Sequence, residues 1–179
     1  MLELLGASDA GLLLPVQRFM DAGGFVLWWI FAAAIVLWTL ILERYWYFRR
    51  IWPRRRDGVR RIWQARPERR SWTARRIRAA MLGEQEASMA ATLPLIQVLI
   101  SMCPLLGLLG TVTGMIEVFD VMSLKGTSDA RAMAAGVSRA TVPTMAGMVV
   151  GLSGLLSINR FRKRVRVETE RLGDELAYT

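Results

Sequence analysis

Residues 104–119 read PLLGLLGTVTGMIEVF, and they close an uncharged run that extends from Ala87 to Ile116. Roughly 20 apolar residues, at 1.5 Å each, cross a hydrocarbon core about 30 Å thick. Two further uncharged runs, Phe25 to Leu42 and Ala140 to Asn159, are of comparable reach. Lipid offers no partner to a free backbone group, so helices are the expected spanning form. The sequence therefore predicts an all-α membrane protein with three transmembrane helices, the second and third long enough to project beyond the bilayer.

Charge sets the orientation. Of the 24 Lys and Arg, 13 lie between Arg49 and Arg78 and six more between Arg160 and Arg171. Residues 1–24 hold one Arg, and the 120–131 stretch holds Lys125 and Arg131. Basic segments stay on the cytoplasmic side. The expected organisation is an outer amphipathic segment over 1–24, spans over 25–44, 93–121 and 132–159, a basic cytoplasmic helical segment over 45–92, an outer loop over 122–131, and a cytoplasmic tail over 160–179. Trp28 and Trp29 at one end of the first span, and Tyr45, Trp46 and Tyr47 at the other, suit two interfacial belts. Glu3 and Asp9 stand where a signal peptide would carry basic residues, so no cleavable signal is expected.

Composition narrows the chemistry. There is no His, and one Cys cannot make an internal disulfide or a Cys-rich metal site. No nucleophile, base and metal constellation is visible, so neither an enzyme nor a cofactor is expected. The sequence pI near 11.1 raises nucleic acid as a partner. The Arg block follows directly on a span, however, which points to anionic lipid headgroups and to no nucleic acid. Ile51, Val59, Ile62 and Trp63 interleave with the Arg residues, so this block reads as helix packed on its neighbours, broken by Pro53 and Pro67.

Gly107, Gly110 and Gly114 punctuate the second span, and Gly147, Gly151 and Gly154 the third. Small residues at this spacing let helix backbones approach closely in lipid. With the turn centred near Thr127, Thr111 before it and Thr144 after it both lie about 25 Å below the turn. Glu117 and Arg139 differ in depth by about 3 Å on the same count, which suggests that they pair, or that Arg139 meets a partner's carboxylate. A membrane Thr taken alone usually bonds back to its own helix. Ten Met residues suit lipid-facing packing, and Pro104 and Pro143 are candidate kinks.

PLLGLLGTVTGMIEVF at 104–119, followed by GVSRATVPTMAGMVVGLSGL at 136–155, resembles the paired signature of the MotA/TolQ/ExbB proton-channel family, and most of all its ExbB-type members. FMDAGGFVLWWI and LILERYWYF extend the likeness over most of the chain. The resemblance implies a homo-oligomer, a pentamer, whose second and third helices line a central channel in a bacterial inner membrane. It implies an ExbD-like single-span partner with a membrane Asp, and a TonB-like protein energised for transport across the outer membrane. By the same resemblance Thr111 and Thr144 match the pore-facing threonines. Arg139 stands where family members often have Glu, a departure that puts a Glu-based proton step in doubt. Two other readings fit the residues: a TolQ-like envelope-maintenance subunit, and a structural scaffold with no ion path.

Overall fold

The computed structural model describes the backbone of residues 2–68, 71–125 and 130–176, and the side chains of residues 24–68, 71–123 and 133–176. The expected turn at Thr127 lies outside the described residues, as do the side chains of the outer segment before Gly24. Among the described residues every regular element is helical: α1 (Leu2–Trp46), a π-helical turn (Tyr47–Ile51), α2 (Trp52–Gln64), α3 (Trp72–Ala90), α4 (Leu93–Lys125) and α5 (Ala130–Glu175). Three stretches, Gly24–Gln64, Trp72–Ser123 and Met133–Glu175, are long and apolar enough to cross a membrane. The all-α, three-span architecture is the one the uncharged runs predict.

Breaks in these helices have local causes. Gly24 interrupts α1 with φ 63° and ψ −163°, a conformation that is essentially reserved for glycine. Pro53 does not split the basic segment as expected. Its ring needs clearance from the carbonyl four residues back, and the preceding turn widens to π geometry, with the Trp52 N–H donating to the Tyr47 carbonyl. Pro67 does lie past the end of α2, which stops at Gln64. The hydroxyl of Ser71 then accepts from the Ala74 N–H at 3.1 Å and caps α3. Pro104 and Pro143 sit inside the continuous helices α4 and α5.

The chain forms two compact units. One combines residues 1–36 with 99–152. Its core is the contact of α4 with α5, flanked by Val26, Leu27 and Ile30 of α1, which pack on Leu106, Ala146 and Val150.

The other unit combines residues 37–98 with 153–179. Trp52, Val59 and Trp63 form the buried face of α2, and Ile158, Phe161, Val165 and Leu172 that of the α5 tail. Both sets follow the spacing of three, four and seven that places residues on one helix face. Phe48 and Phe161 stack with ring centroids 6.0 Å apart. Trp52 Nε1 donates to Glu168 Oε2 at 2.9 Å, and Arg56 pairs with both Glu168 and Glu175. Of the apolar residues expected to pack here, Ile51 and Ile62 are instead exposed: each falls on the face of its turn that carries arginines.

Among the described residues of this unit Arg44 is the buried charge, only 3% exposed. The sequence suggests an interfacial anchor, yet the guanidinium turns inward. It donates to the carbonyls of Ser88 and Met89, each at 3.2 Å, and to the Thr92 hydroxyl. Those carbonyls belong to the last turn of α3, which has no intrahelical partners of its own. Arg44 therefore caps α3, its charge set against the negative end of that helix.

Candidate functional site: the α4–α5 hairpin

Glycine sets how closely α4 and α5 approach. A Cβ at Gly107 would lie 2.9 Å from the Pro143 carbonyl oxygen and from Thr144 Cα. One at Gly110 would lie 2.5 Å from Pro143 Cβ, and one at Gly114 2.9 Å from Ala140 Cβ. At Gly147 a Cβ would run into the Cys103 carbonyl oxygen, and at Gly151 it would stand 3.3 Å from the Ile100 carbonyl oxygen. Gly136 seats the Val118 side chain in the same way. These pairings fix an antiparallel register in which Gly107, Gly147 and Gly151 meet the opposite main chain, while Gly110, Gly114 and Gly136 seat side chains of the facing helix. Gly154 is buried further along α5.

The threonines behave differently from one another. Thr111 Oγ1 donates to the Leu108 carbonyl at 2.7 Å, within its own helix. Thr144 Oγ1 instead crosses to α4 and donates to the Gly107 carbonyl at 2.8 Å. That bond exists because Gly107 has no side chain to hold Thr144 away. Thr111 stands one helical turn, about 6 Å, beyond Gly107 on α4, so the two hydroxyls share a level to within about one turn. Thr113 and Thr141 bond back to their own helices.

Each helix turns about 100° per residue, which divides the hairpin into two edges. On α4, Thr111 falls to one side of the Gly107–Gly110–Gly114 contact strip and Glu117 to the other. On α5, Thr144 and Arg139 divide about Ala140 and Gly147 in the same way. Because the helices run antiparallel, Thr111 and Thr144 come to one edge and Glu117 and Arg139 to the opposite edge. Leu106, Ala146 and Val150, which carry α1, lie on the Glu117–Arg139 side. The threonine edge is the one α1 leaves open.

Glu117 and Arg139 are both exposed. The ion pairs between described residues include Arg56–Glu168, Arg56–Glu175, Arg166–Glu170 and Arg171–Glu168, and none joins Glu117 to Arg139 within one chain. Among the described residues no cluster of three His, Cys, Asp or Glu could hold a metal ion. Cys103 is buried and free; its carbonyl oxygen, rather than its thiol, faces Gly147.

Sequence comparison bears on the same region. Residues 54–174 match the model of the MotA/TolQ/ExbB proton channel family. The chain is 42% identical over 86 residues to the biopolymer transport protein ExbB-like 3 of Synechocystis sp., a stretch covering 43% of this chain and 41% of that protein. It is 37% identical over 81 residues to ExbB-like 1 of the same organism, covering 44% and 31%. It is 33% identical over 79 residues to the biopolymer transport protein ExbB of Helicobacter pylori, covering 44% and 54%. The matches thus span between about a third and about a half of those relatives' lengths. With the family model covering more than half of the chain, including the whole α4–α5 hairpin, this multi-pass membrane protein belongs to the MotA/TolQ/ExbB proton channel family.

Proposed function

We propose that this chain is the housing subunit of a proton-driven motor in a bacterial inner membrane. Several copies, five by family resemblance, encircle a bore. The N-terminus lies on the periplasmic side and the C-terminus in the cytoplasm. An ExbD-like single-span partner inside the bore carries the proton on a membrane Asp, and a TonB-like protein receives the work for transport across the outer membrane. The observation that carries this reading is the two-edged hairpin: Thr111 and Thr144 share the edge that α1 does not cover, the edge free to line a bore.

The hydroxyl chemistry fits that role. A proton carrier must change charge, and Thr does not. Each hydroxyl has one hydrogen and two lone pairs. In this structure both hydrogens are committed, to the carbonyls of Leu108 and Gly107. The lone pairs that remain accept from a protonated carboxylic acid or a water. To donate to an ionised carboxylate, the Thr144 hydroxyl rotates away from Gly107. A partner's Asp is thus received in its neutral form and, once ionised, competes with a backbone carbonyl for the same hydrogen. Glu117 and Arg139, on the opposite edge, pair with each other across subunits, or Arg139 alone meets a partner's carboxylate.

The test is a Thr111→Val, Thr144→Val double variant, co-expressed with its single-span partner. Interhelical hydrogen bonds in membranes contribute about 0.6 kcal/mol on average, so the double variant should still assemble. Gradient-dependent uptake should be lost. Full uptake by a normally assembled double variant refutes the reading, and a partner-free chain that purifies as a stable monomer removes the bore.

A further inference from the structure

The Arg-rich segment contains a groove distinct from the hairpin. Trp46, Arg50, Ile51, Arg54 and Arg55 line a groove of about 450 Å³. It opens one helical turn past Leu42, the end of the first uncharged run. The π turn explains why these residues share one wall. Bonding between residues five apart stacks Trp46 with Arg50 and Ile51, and these in turn with Arg54 and Arg55.

Two neighbouring arginines have structural work. Arg44 caps α3, and Arg56 holds Glu168 and Glu175. The groove arginines differ. Arg55 is tethered by a 2.9 Å bond to the Ser88 hydroxyl, which fixes one guanidinium at the wall. Arg50 lies 6.0 Å from the Trp46 ring centroid. Neither Arg50 nor Arg54 is among the ion-paired residues of the described chain. The groove also has an apolar side: Trp46 is 66% exposed, Ile51 43%, and Leu42, one turn back, 61%.

We propose that this groove binds the phosphate of an anionic phospholipid. Guanidinium groups present paired N–H donors that match phosphate oxygens, while an indole at a span's end sits at headgroup level. The acyl chain runs back along Leu42 and Trp46 on the exposed face of the first span. Free phosphate would meet the same donors but leave those apolar groups uncovered. The proposal rests on the first helix spanning a membrane, and not on the channel reading.

Native mass spectrometry of the full-length protein in detergent, titrated separately with phosphatidylglycerol, phosphatidylcholine and inorganic phosphate, tests it. The groove variant is Arg50→Gln with Arg54→Gln. The control, Arg60→Gln with Arg61→Gln, removes the same charge from exposed positions on α2. Phosphatidylglycerol should bind in preference to the other two. Its Kd should rise at least about tenfold in the groove variant and less than about twofold in the control. Trp46→Ala should weaken the lipid but leave any residual affinity for inorganic phosphate unchanged. Equal losses in both double variants would reduce the groove to a general charge effect and overturn the proposal. So would an unaffected groove variant, inorganic phosphate binding as tightly as lipid, or a groove variant that changes subunit number while keeping its lipid. Because Thr111 and Thr144 are untouched, loss of uptake in the threonine variant and loss of lipid here are separable failures.

Discussion

Consider a single methyl group added at Gly107. The new Cβ in Gly107→Ala would stand 2.9 Å from both the Pro143 carbonyl oxygen and Thr144 Cα. Carbon atoms rest at about 3.5–4.0 Å, so α5 must withdraw by roughly 0.6 Å or more. No flexible side chain can yield, because both obstructing atoms are backbone. The same withdrawal stretches the Thr144–Gly107 bond, now 2.8 Å, towards the limit of hydrogen bonding. Overpacking of this kind costs about 1–3 kcal/mol, and the weakened interhelical bond adds about 0.6 kcal/mol. Gly83→Ala is the matched control. Its Cβ meets nothing within 4 Å on α3, and replacing a mid-helix glycine there should stabilise by about 0.8–1 kcal/mol. Apparent unfolding midpoints in detergent, at one scan rate, should therefore move in opposite directions for the two variants. If Gly107→Ala matches the parent, or rises with Gly83→Ala, the helices do not meet through their main chains.

Other perturbations test the remaining architecture. Arg44→Met keeps an unbranched apolar stem but removes the guanidinium, stranding the Ser88 and Met89 carbonyls and the Thr92 hydroxyl. Leaving buried acceptors unmet costs about 1–3 kcal/mol each, so the midpoint should drop by several degrees, and amide exchange should accelerate first at residues 85–92; unchanged exchange there would contradict the cap. Gly24→Ala imposes a Cβ on a backbone conformation costing about 1–3 kcal/mol, with no neighbour within 4 Å to clash. A lowered midpoint is expected, and a raised one would mean that α1 runs straight through Gly24.

What the sequence made legible follows from range. The three spans were readable because unbroken absence of charge, as from Ala87 to Ile116, is a local property with one physical meaning in lipid. The glycine faces were readable because four-residue spacing fixes a helix face whatever the partner. Arg44 was not, since a charge at the end of a span ordinarily reaches for headgroups; only the distant carbonyls of Ser88 and Met89 turn it inward. Ile51 and Ile62 misled for a related reason: apolar residues among arginines suggest packing, but the π turn shifts which side of the helix meets the core. The differing bonds of Thr111 and Thr144 depend on Gly107 facing Thr144 rather than the residue beside it, a matter of register. The division of the hairpin into a hydroxyl edge and a charged edge was within reach of the sequence. Stepping about 100° per residue from each glycine strip finds it.

The direct contact of α4 with α5 has a mechanical consequence. Helices separated by long side chains can slide, because those side chains change rotamer as they pass. Here Gly107, Gly114 and Gly147 leave no such lubricant, and each helix is keyed into the opposite backbone. The pair therefore moves as one stiff stave. In the assembly proposed above, motion that accompanies work would then fall at the seams between such staves rather than inside one.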